Sequence, residues 1–312
     1  MKPCCFGAHG RPYQNTREAT AGPDVVAHVG PLPLMPGRGL SADLAGLEAL
    51  TDAPGVIDHS GPFPVVGGEL EADGITRTRR NPRGEVVGGA AGVWAVGRDP
   101  AAASVDRPEL TQGSWVRDGG AVVEAGFAAA LGVGEGDQIT LRTRLCTPQT
   151  TTAPEEWPVV NDRSFRVVGV AVTAAARPYP GVCFAPFCPQ LAEAMEELLP
   201  EGPPPEPPDE QVVTGADPVP PTEPGLVWLT EADARGLAPA EESLSYVVNL
   251  RLADPTNAPA FVDTHLSWTM GEAILESWQD IRDEHDQVVQ DQQRVLLIGS
   301  RLLGILAVAS VA

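Results

Sequence analysis

The side chains best suited to covalent chemistry in this chain are two closely spaced cysteines. In the stretch GVCFAPFCPQ, Cys183 and Cys188 are separated by a segment that contains Pro186. A turn at this proline would bring the two thiols close enough to close a small disulfide loop. The alternative is that both cysteines pack as small core residues, and the spacing alone leaves the two interpretations open.

A second group of potential ligands lies at the start of the chain, where Cys4 and Cys5 stand close to His9. These are zinc-ligand types, but no second pair of ligands follows at the spacing of a zinc finger. We therefore predict no metal site and expect residues 1–24 to be an irregular segment.

The glycines of GVGEGD raise the possibility of a phosphate-binding loop. A Rossmann motif would place glycine at position 137, where the sequence has Asp137, and would follow a strand, whereas these residues follow an expected helix. The pattern instead predicts a helix cap at Gly132 and a turn. A Walker A loop is also excluded, because Lys2 is the only lysine.

Catalytic signals are weak elsewhere in the sequence. The five histidines are scattered, and no serine stands in a G-x-S-x-G motif that would pair with one of them. We therefore predict no catalytic residue and no cofactor, and we expect that the chain is not an enzyme.

Composition limits the classes of partner. Acidic residues outnumber basic residues by 42 to 21, which gives a formal net charge of -21. Such a charge repels the phosphates of nucleic acids, so we expect no nucleic-acid partner. With 43% hydrophobic residues the chain can build a core, and its 32 prolines and 33 glycines favour strands and turns over helical bundles.

Two separated regions show a β-α-β pattern. Residues 25–75 contain the strand DVVAHVG, the helix SADLAGLEAL with Ser41 as its cap, and an extended return, GVIDHSGPFPVVGG. Residues 225–265 contain the strand GLVWLT, a helix that begins after Thr230, the strand LSYVVNLRL and a further helix. We interpret these regions as two halves of one α/β subdomain.

The region between the two halves is expected to be mostly β structure. Residues 76–186 begin with a basic, glycine-rich loop and continue with strands at 121–124, 138–141 and SFRVVGVAVT, with a short helix at 127–131. Residues 187–224 are rich in proline and acidic side chains, which predicts an extended, solvated loop. The fold class is therefore α+β, with a β-rich insertion in an α/β subdomain.

The last part of the chain has a helical stripe followed by an apolar run. Apolar or mixed positions recur at spacings of four and three from residue 274, which predicts a long stalk helix over residues 266–294. The stripe is formed by Ile274, Trp278, Ile281 and Val288.

Residues 295–312 carry only three polar side chains in a run close to the length that a bilayer requires. We expect the run to be the start of a transmembrane helix in contact with lipid, the alternative being a buried core helix. The residues expected to enter the membrane are Val295, Leu296, Leu297, Ile298, Leu302, Leu303 and Leu306.

The order GSWV, AVVEAGFAAALGVGEGDQITL and SFRVVGVAV resembles the extracytoplasmic domain of ABC transporter permeases of the FtsX-like, MacB-type family. The final LLIGSRLLGILAVASVA is similar to the start of the second transmembrane helix of that family. The resemblance implies a porter-like α/β subdomain with an inserted β subdomain, followed by a stalk helix that enters the membrane.

The same resemblance implies a function and a set of partners. A separate ABC ATPase subunit would drive motion through the stalk to move or release a substrate, and the permease would pair with a second copy or homologue. The chain would lie at the cell membrane, mostly outside the cytoplasm, and we expect it to be a piece of a longer permease. The alternatives are a membrane-anchored extracytoplasmic binding or scaffold protein without an ATPase, and a soluble enzyme whose last helix packs in its core.

Overall fold

A computed structural model describes residues 12–31, 42–72, 78–80, 86–88, 91–144, 158–179, 224–266 and 273–290. Ten strands of these ranges form one mixed sheet: β1 Val25–Val29, β2 Val56–Ala72, β5 Ala91–Arg98, β6 Glu109–Gly113, β7 Gly120–Glu124, β8 Gln138–Arg144, β9 Val159–Val172, β10 Gly225–Thr230, β11 Ser245–Leu252 and β12 Ala273–Ser277. Their order in the sheet is β12-β1-β11-β2-β5-β10-β7-β9-β6, and β8 pairs with β2 and β9. A separate antiparallel pair consists of β3 Thr78–Arg80 and β4 Val86–Gly88.

Helices connect or flank these strands. They are α1 Pro12–Ala19, α2 Leu44–Thr51, α3 Ala125–Leu131, α4 Glu231–Arg235, α5 Ala258–Leu266 and α6 at residues 278–290. The neighbouring strands β5 and β10 are parallel, as are β7 and β9, and the other pairs of the sheet are antiparallel. The fold is thus mixed α/β, built on a large mixed sheet.

The two faces of the sheet are covered by different elements, because alternate residues of a strand point to opposite faces. On one face, Val25, Ala27, Leu229 and Leu250 belong to the main core, which also contains residues of α2, α3, α4 and α5. On the other face, Val26 packs in a smaller cluster with residues of α1 and α6. The central strands are therefore apolar on both faces.

Many local elements are found where the sequence predicts them. The strand β7, the helix α3, its cap Gly132 at a φ of 74° and the strand β8 follow one another in the predicted order. Thr230 caps α4 by accepting a hydrogen bond from the backbone of Asp233, as expected. Tyr246, Val248 and Leu250 lie on one buried face of β11, which was also predicted.

Apart from the β3–β4 pair, the described strands of residues 76–186 do not form a sheet of their own. Strand β10, which belongs to the predicted second half, lies between β5 and β7 of the predicted insertion. Strand β11 pairs with β1 and β2 of the first half. The segments are thus interleaved in one continuous sheet, and the domain boundaries proposed from the sequence stay a prediction.

Three local expectations differ from the structure. The region expected to be irregular up to residue 24 contains α1, whose Tyr13 is buried and donates a hydrogen bond to the carbonyl of Ala174 at 2.9 Å. The cap of α2 is Asp43 instead of Ser41, since its carboxylate accepts the N–H of Gly46 at 3.0 Å. The basic segment predicted as a loop contains the paired strands β3 and β4.

The predicted stalk helix also begins later than expected. Ile274 lies in strand β12 and pairs with His28 of β1, so it is not part of a helix. Helix α6 begins after Ser277, which exchanges hydrogen bonds with Asp280 in a capping box. Trp278, Ile281 and Val288 do share one face of α6 at spacings of three and seven.

The residues expected to enter the membrane, from Val295 to Leu306, lie outside the described residues. Within the described ranges, none of the helices has the length and apolar character that a membrane crossing requires.

The docking of α6 on the sheet gives a first prediction. Ile281 is 1% exposed, whereas Val289 on the same helix is 40% exposed. Ile281→Ala should lower the free energy of unfolding by roughly 2–5 kcal/mol, because it leaves a cavity between α6 and the sheet. Urea unfolding followed by circular dichroism measures the change. The matched control Val289→Ala should alter stability by less than about 0.5 kcal/mol, and equal effects of the two variants would contradict the docking.

Candidate functional site

A cavity of about 500 Å³ lies on the face of the sheet opposite the main core. Its floor is formed by alternate residues of six neighbouring strands, so their side chains all point the same way. These floor residues are Val26 and His28 of β1, Val65 of β2, Trp94, Val96 and Arg98 of β5, Leu226 and Trp228 of β10, Val247 and Asn249 of β11, and Ile274 and Glu276 of β12.

The strand register aligns two rows of these floor residues. His28 pairs with Val247 on one side and Ile274 on the other, and Val26 pairs with Asn249 and Glu276 in the same way. The ring of Trp94 reaches His28 across the floor, with ring centroids 5.5 Å apart. The floor is therefore mostly apolar, with a few polar positions.

The segment after β9 forms the roof of the cavity. Thr173, Ala175, Ala176, Arg177 and Tyr179 line it from above. We call residues 173–179 the roof segment.

Contacts from three sides hold the roof segment in place. The ring of Tyr179 packs edge-on against Phe127 of α3 at 4.7 Å. Arg177 donates through Nε to Glu276 of β12 at 2.7 Å and pairs with Glu284 of α6 at 2.8 Å. The roof segment is thus tied to α3, β12 and α6.

A buried polar network closes one end of the cavity around Asp106. Arg98 donates to its Oδ2 at 2.7 Å, and both side chains of this ion pair are at most 5% exposed. Thr173 donates to Oδ1 at 2.6 Å and Asn249 to Oδ2 at 3.4 Å. The backbone of Asp106 has a φ of 50°, a left-handed conformation that aspartate tolerates better than most residues.

His28 is the polar side chain of the floor whose hydrogen bonding is incomplete. Its Nε2 atom is buried and has no hydrogen-bond partner among the described residues. Burial lowers the pKa of His28 to about 4, so the imidazole is neutral at pH 7. A neutral, unpartnered ring nitrogen at the floor can accept or donate one hydrogen bond to a bound molecule.

The charged residues of the lining are already engaged with each other or with the backbone. Arg98 is paired with Asp106, and Arg177 with Glu276. Glu124, at the end of β7, accepts the N–H of Phe127 at 2.9 Å and so caps α3. The lining residues that the structure describes therefore hold one more carboxylate than guanidinium, and the arrangement is suited to binding an apolar molecule rather than an anion.

The residues selected from the sequence lie mostly outside this cavity. Ile274 is part of its floor, while Trp278, Ile281 and Val288 lie on α6. Cys183 and Cys188 lie outside the described residues, so the disulfide stays a prediction. In the described part of the chain, no three His, Cys, Asp or Glu side chains are grouped as a metal site would need.

Sequence reasoning missed His28, Trp94 and the Asp106 network. The alternation in VVAHV places His28 on the face opposite Val25 and Ala27, which is a signal that could have been used. The Asp106 network could not be predicted from the sequence, because its members, at positions 98, 106, 173 and 249, come together only in the folded chain.

Comparisons with known proteins add no family assignment. No protein-family model matches the chain, and no curated protein matches it.

The Asp106 network gives a second prediction. Asp106→Asn keeps the shape of the side chain but leaves the buried Arg98 without its counter-charge. This should lower the free energy of unfolding by roughly 3–5 kcal/mol. The double variant with Arg98→Met should be less destabilised than the sum of the two single variants, because both changes remove the same interaction.

Urea unfolding of the four proteins in this cycle measures that coupling. The exposed pair of Arg142 and Asp162 offers a matched cycle with Arg142→Met and Asp162→Asn. Its coupling should stay below about 1 kcal/mol. A cycle at Arg98 and Asp106 with no larger coupling would contradict their role as a buried anchor.

The burial of His28 predicts a pH dependence of stability. Its pKa of about 4 in the folded protein lies below the ordinary value of 6.5, so the unfolded chain takes up the proton first on acidification. Stability from this group is therefore complete above pH 6.5 and falls by at most about 3 kcal/mol as the pH drops to 4. His28→Leu should flatten the curve of unfolding free energy against pH over this window. His59→Leu, at an exposed position of β2, should keep the wild-type slope, and an unchanged slope in His28→Leu would refute the assignment.

Proposed function

We propose that this chain is the extracytoplasmic part of an ABC transporter permease of the FtsX-like type, in which a helix transmits ATPase-driven motion to the sheet domain. The observation that carries the proposal is the course of α6. Its first turns pack on the sheet through Trp278 and Ile281, and residues 282–290 are half-buried or exposed. In the sequence, four residues separate the last described residue of α6 from the apolar run at residues 295–312.

The resemblance in the middle of the chain supports the proposal. The quoted motifs correspond to β7, α3, the turn after Gly132, β8 and β9, which follow one another in the order expected for the family. The porter-like layout, the stalk and the pairing with a second permease copy are parts of the proposal. These 312 residues cannot form a Walker A loop, because Lys2 is their only lysine, and the proposal assigns ATP hydrolysis to a separate subunit.

A membrane-anchored extracytoplasmic binding protein without an ATPase is the second candidate function. It is favoured by the cavity, which has the size and apolar lining typical of small-molecule sites. The two candidates share the membrane anchor and differ in the ATPase partner.

Fractionation of cells that express the full chain tests the shared part. The chain should remain with the membranes after a high-salt wash. The double variant Leu297→Asp and Leu303→Asp should release it, because each buried charge costs roughly 2.5–3.5 kcal/mol at the centre of a membrane helix. The control pair Gln292→Asp and Gln293→Asp adds the same charge outside the apolar run and should leave the chain on the membrane.

Purification of the chain in detergent from cells of the source organism separates the candidates. Recovery of a stoichiometric P-loop ATPase, identified by mass spectrometry and by ATP hydrolysis, supports the permease. A membrane-bound chain without this subunit favours the binding protein. A chain that stays soluble in the wild type overturns both.

A further inference from the structure

We propose that the cavity beneath the roof segment is a binding site for an uncharged, largely apolar organic molecule that carries one hydroxyl or similar group facing His28. The inference goes beyond the transport function and does not depend on it, because it rests only on residues of the sheet domain.

The size and lining of the cavity indicate the size and the apolar character of the ligand. A volume of about 500 Å³ lies within the range of small-molecule sites, which are mainly apolar with a few placed polar groups. The side chains of Val26, Val247 and Leu226 offer aliphatic contacts, and Trp94 offers an aromatic face. A flat ring system or a short branched chain would bury its surface here.

The charges of the lining set the charge of the ligand. An anion would need a free cation, but Arg98 and Arg177 already hold Asp106 and Glu276. It would also face Glu124, whose carboxylate lies at the end of β7. Transfer of an anionic ligand from water into this site would therefore cost desolvation energy without gaining a counter-charge.

The unpartnered nitrogen of His28 indicates that the ligand carries a hydrogen-bonding group. A buried polar atom without a partner is unfavourable, so a ligand that supplies the missing hydrogen bond gains more than one that leaves it unmade. The imidazole is neutral at pH 7, because burial lowers the pKa of His28 to about 4. A neutral ring nitrogen pairs well with a hydroxyl, which can both donate and accept.

The probe for this site is N-phenyl-1-naphthylamine, an uncharged fluorescent molecule with one N–H group. The full chain is titrated in one buffer and one detergent, so that partitioning of the probe into detergent is the same for every variant. We expect saturable binding to the wild type and its loss in Leu226→Trp, which fills the cavity from β10. The matched control Ile57→Trp, at a position that is 64% exposed, should bind like the wild type.

Displacement of the probe by naphthalene derivatives tests which polar group of a ligand the site prefers. 2-Naphthol should displace the probe about fivefold to tenfold more effectively than naphthalene, the equivalent of one hydrogen bond to a buried group. 2-Naphthoate, which adds a negative charge, should compete worse than either. In His28→Leu the advantage of 2-naphthol over naphthalene should disappear.

Several results would overturn the proposal. Absence of saturable binding to the wild type does so, as does binding that a folded Leu226→Trp variant retains. Competition by 2-naphthoate as strong as that by 2-naphthol overturns the charge assignment. A preference for 2-naphthol that persists in His28→Leu removes the role of His28. Circular dichroism of each variant checks that its fold is kept. None of these readouts depends on an ATPase or on membrane association, so failure here is distinguishable from failure of the transport proposal.

Discussion

Asp106 joins four parts of the chain, three through its carboxylate and one through its backbone N–H. It accepts hydrogen bonds from Arg98 at the end of β5, Thr173 after β9 and Asn249 of β11, while its backbone N–H donates to Ala21 after α1 at 2.9 Å. Each bond is buried, so each lost partner would leave a polar group without water or protein to satisfy it. The start of the roof segment and one end of the cavity floor therefore depend on one side chain in a left-handed backbone conformation.

The cavity follows from a constraint on the sheet itself. The inner strands β1, β11 and β10 are buried at nearly every position, so neither face of the sheet is left to water there. Helices α2, α3, α4 and α5 supply core residues on one face. On the other face, α1 and α6 pack at one edge, with Tyr13, Val26 and Ile281 in one cluster. The roof segment spans part of the remaining width, and the space beneath it is the cavity.

The sequence predicts those parts of this arrangement that depend on neighbouring residues. The cap of α4 at Thr230, the cap of α3 at Gly132 and the alternation of β11 are local signals, and all three are present. The placement of β10 between β5 and β7 depends on long-range strand pairing that no local pattern encodes.

The prediction that Ile274 belongs to a helix is wrong for a local reason. Its spacing of four to Trp278 suits a helix, yet Ser277 and Asp280 form a capping box that begins the helix one turn later. The candidate site depends on both local and long-range features. The alternation of β1 places His28 on the face opposite Val25 and Ala27, which is a local signal. The approach of Trp94 and the roof segment to His28 depends on the long-range pairing of strands.

The contacts of α6 connect the two proposals physically. Glu284 pairs with Arg177 of the roof segment at 2.8 Å, and Nε2 of His285 lies 3.1 Å from the carbonyl of Ala176. Arg177 is bound in turn to Glu276, which stands on the floor of the cavity one residue before the cap of α6. A displacement of α6 along its axis must either carry the roof segment with it or break these bonds. Interfaces of this kind have discrete arrangements rather than a continuous range, because packed side chains deform little. Motion delivered to α6 from its C-terminal end would therefore act on the cavity through Arg177 and Ala176, while Trp278 at the start of the helix also packs against the main core.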